Sequence, residues 1–128
     1  EFLQDFQWQG TRDMSAFLTI PKIIEFFKTD LEHFQKHSRK LILNSRNQFQ
    51  HILKTDPITV GDIFLGQMIS FFLPKNVDIN LKSILWKEHK IEIPIFEWKN
   101  RKLIRLSAYA YNDQKDINSL MNALQAII

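Results

Sequence analysis

The sequence predicts an α+β protein in which one long helix precedes a small antiparallel sheet covered by helices. Residues 30–54 contain no Gly or Pro and repeat apolar side chains at helical spacing. From Gly66 onward, β-rich and helical segments alternate in the order βαββα, a pattern typical of a sheet with helices on one side. The chain has 128 residues, 45% of them hydrophobic, which suffices for one ordinary domain with its own core, or for one domain plus an appendage.

The first thirty residues do not fit this domain. Four large apolar residues lie among Gln and Asp without a clear period, and they would need a partner surface: Phe2, Leu3, Phe6 and Trp8. Asp13 is a candidate N-cap for a helical run, which Pro21 breaks or restarts. Residues 23–27 are apolar on most sides, so we expect them to be well buried.

The long helix is predicted to pack one stripe of side chains against the core. The stripe has two small polar members, Ser38 and Ser45, and its apolar members are Leu31, Phe34, Leu41, Phe49 and Ile52. Residues 55–57, which read Thr-Asp-Pro, end the helix because a residue before proline disfavours the helical conformation.

The second half of the chain supplies the strands and two further helices. Residues 67–73 form a β-rich strand, and Asp78 can cap a short helix carrying Leu81, Ile84 and Leu85. Residues 91–95 alternate as a strand, in which Pro94 indicates either a sheet edge or a bulge. Residues 98–101 form a hairpin turn before a strand at 103–109, and Asn112 or Asp113 caps the last helix.

Composition excludes several classes of function. The formal net charge is +3, but Lys and Arg are interspersed with 14 acidic residues, so we expect solvated helix faces rather than a nucleic-acid partner. No apolar run approaches the ~18 residues that a membrane span requires, and we expect no membrane partner. The chain has no Cys, which excludes disulfides and thiolate metal sites and fits a reducing, cytoplasmic compartment.

The histidines do not suggest a metal centre. His33 and His37 lie one helical turn apart, a spacing that can bind a transition metal. No third ligand follows nearby in the sequence, and both lie on the polar face of the long helix. We therefore expect a solvated helix surface and no metal site.

Two other positions could bind anions. Gly10 and Thr11 form a turn ahead of a helical run, where backbone N–H groups and a hydroxyl face the positive end of a helix dipole. Strand alternation places Arg105 on one face with Leu103, Ser107 and Tyr109, where a guanidinium can bind a carboxylate through two hydrogen bonds. The alternatives are an ordinary turn and an exposed arginine on a solvated sheet face.

Several clusters together resemble isopenicillin N epimerase-like proteins of the class V aminotransferases, which are fold-type I pyridoxal-phosphate enzymes. The first half contributes Trp8-Gln9-Gly10-Thr11-Arg12-Asp13, Ser15-Ala16-Phe17-Leu18 and Pro21. The second half contributes Gly66-Gln67-Met68, Ile91-Glu92-Ile93-Pro94-Ile95-Phe96, Arg105-Leu106-Ser107 and Tyr111-Asn112. The resemblance covers nearly the whole chain and is weakest around residues 55–65.

The resemblance implies roles for three residues. Gly10 and Thr11 would reach across a homodimer interface to the phosphate of the neighbouring subunit's pyridoxal phosphate. Arg105 would hold the α-carboxylate of an amino-acid substrate. Desulfurase relatives carry an Asn-ended turn and need a mobile catalytic Cys, whereas this chain continues with Arg12-Asp13 and has no Cys, which favours the epimerase-like branch.

The resemblance also implies that the chain is a C-terminal fragment. The family's Schiff-base Lys lies in the large domain, which would precede this sequence, so we expect no catalytic residue here and no activity from the fragment alone. Residues 1–29 would be a residual segment of the large domain, and residues 30–128 the small domain with its long linking helix. The alternative is a stand-alone, non-catalytic α+β interaction module that binds a partner through its N-terminal apolar residues.

Overall fold

The computed structural model describes residues 1–7, 10–59, 61–78 and 80–128. Its helices are α1 (Phe2–Gln7), α2 (Ser15–Leu18), α3 (Ile20–Leu53), α4 (Leu81–His89) and α5 (Gln114–Ile127), with one 3-10 turn at Asp62–Phe64. Its strands are β1 (Met68–Phe72), β2 (Ile95–Trp98) and β3 (Arg101–Ser107). The chain divides into two compact units, Glu1–Glu32 and His33–Ile128.

Helix α3 is longer than the sequence predicts, because it begins at Ile20 instead of near residue 30. Pro21 falls in its first turn, where the missing N–H has no helical partner to lose and the fixed φ suits a helix. Proline therefore restarts the helix after α2, and nothing in residues 22–30 breaks it again.

The N-terminal segment that lacked a clear period also folds partly into α1, in which the Phe2 and Phe6 rings lie 4.9 Å apart.

The expected burial of residues 23–27 is wrong. Ile23, Ile24 and Phe26 are 49%, 54% and 68% exposed, and Phe27 is only partly covered. In the first unit, no residue whose side chain the structure describes is buried. An apolar pattern around a helix indicates a preference for burial, but burial requires a second surface that the pattern does not supply.

In the second unit, α3 supplies one wall of the core. The predicted stripe is correct at Ser38, Leu41, Ser45 and Phe49, which are all buried. It is wrong at its start, where Leu31 is 40% exposed, and it omits Ile42 and Leu53, which are fully buried. An α-helix has 3.6 residues per turn, so a stripe of regularly spaced side chains drifts around the axis of a long helix. The buried face of α3 therefore shifts along its length.

The sheet has the order β1-β3-β2, and both strand pairs are antiparallel. Its inner face joins the core through Ile69, Phe71, Ile104 and Leu106, and the Phe71 ring stacks on Phe49 of α3 at 5.9 Å. This confirms the predicted βαββα order, and β2 lies at an edge of the sheet, which is one of the two alternatives that Pro94 indicated. The predicted fold class, a long helix and a small antiparallel sheet with helices, is also confirmed.

Strand β2 begins at Ile95, four residues later than predicted. Lys90 adopts a left-handed conformation with φ 57°, and the N–H of Ile91 donates to the carbonyl of Leu85 at 3.0 Å. This arrangement ends α4, because the N–H groups that follow the helix bond to its last carbonyls. The residues directly after α4 are therefore part of the helix cap, and the strand starts only after them. Ile93 is buried in the core without being part of a strand.

The predicted turn and cap are confirmed in the second unit. Lys99 and Asn100 have φ of 49° and 58°, the double left-handed geometry of a two-residue hairpin between β2 and β3. Asp113 caps α5 by accepting from the N–H groups of Lys115 and Asp116, and the Asp116 side chain accepts in return from the Asp113 N–H.

The loop before β1 is held against α3 by arginine. Arg39 donates through Nε to the carbonyl of Leu65 at 2.9 Å and through Nη2 to the carbonyl of Asp62 at 2.8 Å, while Arg46 pairs with the Asp62 carboxylate.

Among the described residues, no helix has the length and apolar character needed to cross a membrane.

Candidate functional site

The outer face of the sheet is the side opposite the helical core. In an antiparallel pair, directly opposed residues point to the same side. The register therefore places Ser70 beside Arg105, and it places Phe72 and Phe96 on either side of Leu103. We use the name outer face for these residues together with Trp98, Arg101, Met68 and Ser107.

Arg105 lies on the central strand of this face and is half-buried. Its backbone N–H donates to the carbonyl of Pro94 at 3.1 Å, which fixes the main chain. Its side-chain Nε is buried and has no hydrogen-bond partner within the described ranges. A buried donor without an acceptor costs about 1–3 kcal/mol, more for a charged group, so the site favours an anionic acceptor.

Ser70 is a candidate site residue that was not predicted from the sequence. It is half-buried, lies directly across from Arg105, and its hydroxyl has no hydrogen-bond partner in the part of the chain that the structure describes. Opposed residues have Cβ atoms ~4.5–5.5 Å apart, so a hydroxyl and a guanidinium at these positions can share one ligand group. Only the β1-β3 register reveals this neighbour, because the two residues are separated by 35 positions in sequence.

An aromatic and cationic cluster lies on the outer face toward the hairpin end of β3, separated from Arg105 by Leu103. The Phe72 and Trp98 rings are stacked with centroids 6.3 Å apart. Arg101 lies 3.4 Å above the Phe72 ring, and Lys99 lies 4.6 Å from the Trp98 ring centroid. The outer face therefore combines an apolar wall with positive charge, which attracts an anion that also carries an apolar part.

Gly10 and Thr11 lie in the first unit, between α1 and α2, and both are exposed. Gly10 has φ 82°, a conformation that L side chains rarely adopt, and a Cβ there would meet nothing within 4 Å. The Thr11 hydroxyl has no hydrogen-bond partner among the residues described. The turn therefore leaves its backbone and its hydroxyl open to a ligand such as a phosphate.

Gly10 and Thr11 do not lie at the start of a helix, so no helix dipole acts directly on this turn. Helix α2 has only 4 residues and begins at Ser15, not at Thr11. Its first N–H is already served by Asp13, whose carboxylate accepts from the Ser15 N–H and hydroxyl at 2.9 Å each. These hydrogen bonds, the backbone one first, lower the pKa of the Asp13 carboxyl. The prediction that Asp13 is the N-cap is wrong by one residue, because Met14 occupies that position and makes no side-chain capping bond, while Asp13 accepts from the first helical N–H.

His33 and His37 of α3 have different neighbours. His37 Nε2 lies 3.2 Å from the carbonyl of Asn112, and the His33 ring lies edge-on to Phe34. In residues 1–7, 10–59, 61–78 and 80–128, no group of three or more His, Cys, Asp or Glu side chains could hold a metal ion.

Trp8 and Gln9, which belong to the resemblance motif and to the apolar N-terminal segment, lie outside the described residues.

The chain is similar over nearly its whole length to curated enzymes. It is 28% identical over 129 residues to isopenicillin N epimerase of Amycolatopsis lactamdurans and 25% identical over 134 residues to that of Streptomyces clavuligerus, in each case 98% of this chain and 32% of the relative. It is 23% identical over 138 residues to a probable chloroplastic L-cysteine desulfhydrase of Arabidopsis thaliana, 94% of this chain and 29% of the relative. The chain thus spans about a third of the length of these relatives.

A solved structure of Sphingomonas wittichii serine palmitoyltransferase matches 72% of this chain and 22% of its own, at 15% identity and a TM-score of 0.48. No family model matches the chain. The sequence similarity confirms, over 98% of this chain, the resemblance to isopenicillin N epimerases that the motifs indicated.

Proposed function

We propose that the chain is the C-terminal part of a pyridoxal-phosphate-dependent, class V aminotransferase-like enzyme that acts at the Cα of an amino-acid substrate. The observation that carries the proposal is Arg105, whose buried Nε lacks an acceptor on the central strand of the sheet. The similarity to enzymes named isopenicillin N epimerase supports it. In this proposal the intact protein is a homodimer, and the 128-residue chain alone is inactive.

Arg105 would bind the substrate carboxylate. A guanidinium offers two parallel N–H donors that match a carboxylate, and the strand fixes their direction because its backbone is hydrogen-bonded on both sides. Ser70 would donate its hydroxyl to the same carboxylate, and the apolar wall of Phe72, Leu103 and Phe96 would exclude water. Excluding water strengthens the ion pair and keeps the carboxylate in one orientation.

Gly10 and Thr11 fit the phosphate of pyridoxal phosphate because the turn is open, its hydroxyl is unpartnered in the described part, and Gly10 leaves space for close approach. Their backbone N–H groups and the Thr11 hydroxyl would hold the phosphate of the cofactor bound by the partner subunit. When bound, the cofactor supplies an electron sink for bond breaking at Cα. The residues of this chain supply binding and orientation.

Within this enzyme class, we propose an epimerase-like reaction. Two of the relatives carry the name isopenicillin N epimerase, whereas the third is named a probable L-cysteine desulfhydrase. Compared with a desulfurase, which needs a catalytic Cys and carries an Asn-ended turn, the chain has no Cys and continues from the Gly-Thr turn into Arg12-Asp13, which favours the epimerase-like branch. Product analysis of the intact enzyme decides between the reactions: an inverted Cα configuration supports this choice, and release of sulfide from cysteine contradicts it.

A second candidate, a stand-alone interaction module, is favoured by one observation. The first unit exposes large apolar side chains, with Phe2, Leu3 and Phe6 at 74%, 75% and 63% exposure. Apolar groups exposed in this way typically meet a partner. Under this alternative, Phe6→Ala and Trp8→Ala weaken partner binding, and Arg105→Lys has no effect.

The experiment that tests the proposal is the intact mass of the endogenous protein after treatment with sodium borohydride, which fixes a lysine-bound pyridoxal phosphate covalently. We expect a protein several times heavier than this 15.3 kDa chain, carrying one reduced cofactor. A mass near 15.3 kDa without the cofactor contradicts the enzyme and supports the interaction module.

A further inference from the structure

The outer face carries a second arginine to which the proposed chemistry at Cα gives no role. Arg101 is the first residue of β3, lies four positions before Arg105, and is exposed. Every second side chain of a strand points to the same side, so both arginines belong to the outer face. At ~3.3 Å per residue, their Cα atoms lie about 13 Å apart along the strand. The face therefore presents two guanidinium groups with a gap between them.

Arg101 is oriented by an aromatic ring and not by a carboxylate. Its guanidinium carbon lies 3.4 Å from the centroid of the Phe72 ring, and within the described ranges the side chain makes no hydrogen bond or ion pair. A guanidinium that stacks on a ring keeps its N–H groups available, because they point outward in its own plane. Lys99, 4.6 Å from the Trp98 ring centroid, adds a second positive charge at this end of the face.

The surface between the two arginines is apolar. Leu103 separates them on β3, and Phe72 and Phe96 lie on either side of it in the neighbouring strands. Leu103 is 2% exposed, whereas Phe96 is 41% exposed and Phe72 is half-buried. A hydrocarbon chain that lies along β3 would cover these two rings and remove apolar surface from water. The gap therefore suits an apolar connection between two anionic groups.

We propose that the substrate is an α-amino acid with a long apolar side chain that ends in a second carboxylate, bound by Arg101 while Arg105 binds the α-carboxylate. This inference rests on the proposed function and adds a substrate class to it. A guanidinium binds a carboxylate through two parallel N–H donors, so each arginine accommodates one end of such a molecule. Because Arg101 is stacked on Phe72, we expect glutamate to be too short to reach both guanidinium groups.

The first test compares two substrates of the intact protein, α-aminosebacate and the same compound with its distal carboxylate converted to a neutral amide. The readout is exchange of the Cα hydrogen for deuterium in heavy water, followed by nuclear magnetic resonance. We expect kcat/KM to be about tenfold higher for the dicarboxylate. Arg101→Gln should abolish this preference, whereas Lys102→Gln, on the same strand but the opposite face, should keep it. Arg101→Lys keeps the charge and should retain part of the preference, which separates lost binding from lost folding.

A second test needs no cofactor. The ¹⁵N-labelled 128-residue chain is titrated with sebacate, a dicarboxylate of the same length, and the side-chain Nε–H signals of Arg101 and Arg105 are followed. Both signals should shift along one saturable curve, and sebacate monoamide should bind about tenfold more weakly, because it lacks one of the two anionic ends.

The two tests distinguish a failure of this inference from a failure of the proposed function. An intact protein that exchanges the Cα hydrogen of the dicarboxylate and of its amide equally well has the proposed function but overturns the inference. Equal binding of sebacate and its monoamide, or the same loss of preference in the Arg101→Gln and Lys102→Gln variants, also overturns it. Shifts of both arginine signals with sebacate, without Cα exchange by the intact protein, support a site for two anionic groups and contradict the enzyme.

Discussion

At the scale of single residues, Arg105 is the position where sequence and structure agree best. The alternation of residues 103–109 predicted that Arg105 faces away from Ile104 and Leu106, and the strand register confirms it. Its carboxylate-binding role stays a prediction. Ser70 could not be predicted, because cross-strand neighbours depend on a register that the whole fold sets and that local sequence does not encode.

The proposed role of Arg105 is tested by two substitutions in the intact protein. Arg105→Lys keeps the charge but loses the two parallel donors, so we expect KM for the amino-acid substrate to rise about tenfold. Arg105→Gln, which also loses the charge, should weaken binding further. Lys82→Gln removes an exposed charge on α4 and serves as the control. Steady-state kinetics with unchanged KM in both Arg105 variants would contradict the carboxylate role.

Asp13 gives a pH-dependent prediction at the same scale. Its folded-state pKa lies below the ordinary value of 3.8 because Ser15 donates two hydrogen bonds to the carboxylate. The sign follows: the carboxylate stabilises the start of α2 above pH 3.8, and this contribution is lost as pH falls through the lowered pKa.

Ser15→Ala removes the hydroxyl donor but keeps the backbone N–H donor, so the pKa of Asp13 should rise toward 3.8 without fully reaching it. The measurement is a carboxyl ¹³C titration, with Ser119→Ala as a matched serine control on α5. A pKa of Asp13 that is the same in the Ser15 variant and the parent chain would refute the hydrogen-bond explanation.

At the scale of elements, the helix cap and the hairpin turn of the second unit were the most predictable parts of the fold. The cap at Asp113 and the turn at residues 98–101 follow from local chemistry, because capping and turn geometry involve neighbours in sequence. The start of β2 and the start of α3 were not predictable, since the first depends on how α4 ends and the second on whether Pro21 falls inside a first turn.

The capping box of α5 is expected to contribute measurably to stability. Asp113→Ala leaves the N–H groups of Lys115 and Asp116 without their acceptor and should lower the free energy of unfolding by about 1 kcal/mol. Urea denaturation followed by circular dichroism measures the change. Asp78→Ala, which removes an acceptor for the Asn80 N–H ahead of α4, offers a comparison with one hydrogen bond instead of a reciprocal pair. Equal stability of Asp113→Ala and the parent chain would show that the box contributes nothing.

A single substitution in the hairpin between β2 and β3 is expected to stabilise the fold. Asn100 has φ 58°, which glycine adopts without the steric cost that a side chain brings. Asn100→Gly places the residue most favoured at the second position of this turn and should raise the free energy of unfolding by a few tenths of a kcal/mol, up to about 1 kcal/mol. Lys75→Gly, at an exposed loop position, is the control for added glycine. A lower urea midpoint for Asn100→Gly would contradict the turn assignment.

At the scale of the whole molecule, the two units differ in how much surface they bury. The second unit holds every buried residue that the structure describes, from Ser38 to Leu124, whereas the first holds none. Stability against local opening follows buried apolar contacts. The sequence predicted a change of character near residue 30, but not the long helix that passes through it, since helical propensity does not report burial.

Hydrogen exchange of the dilute 128-residue chain tests this difference. Amides of Phe2–Gln7 should exchange far faster than those of the buried α3 stripe around Leu41 and Phe49. Slowing of the first unit on concentration would indicate that its apolar side chains meet a second copy. Protection of residues 2–7 equal to that of Leu41 in the dilute chain would contradict a loosely held first unit.

The position of β3 between two hydrogen-bonded neighbours has one further consequence. An edge strand can fray and carry its side chains away, but the middle strand separates only when the unit loses its sheet. Arg105 therefore keeps its direction for as long as the second unit stays folded. A protease or denaturant that releases β2 alone would leave β3 still paired with β1, and an anion held at Arg105 would slow the opening of β3 itself.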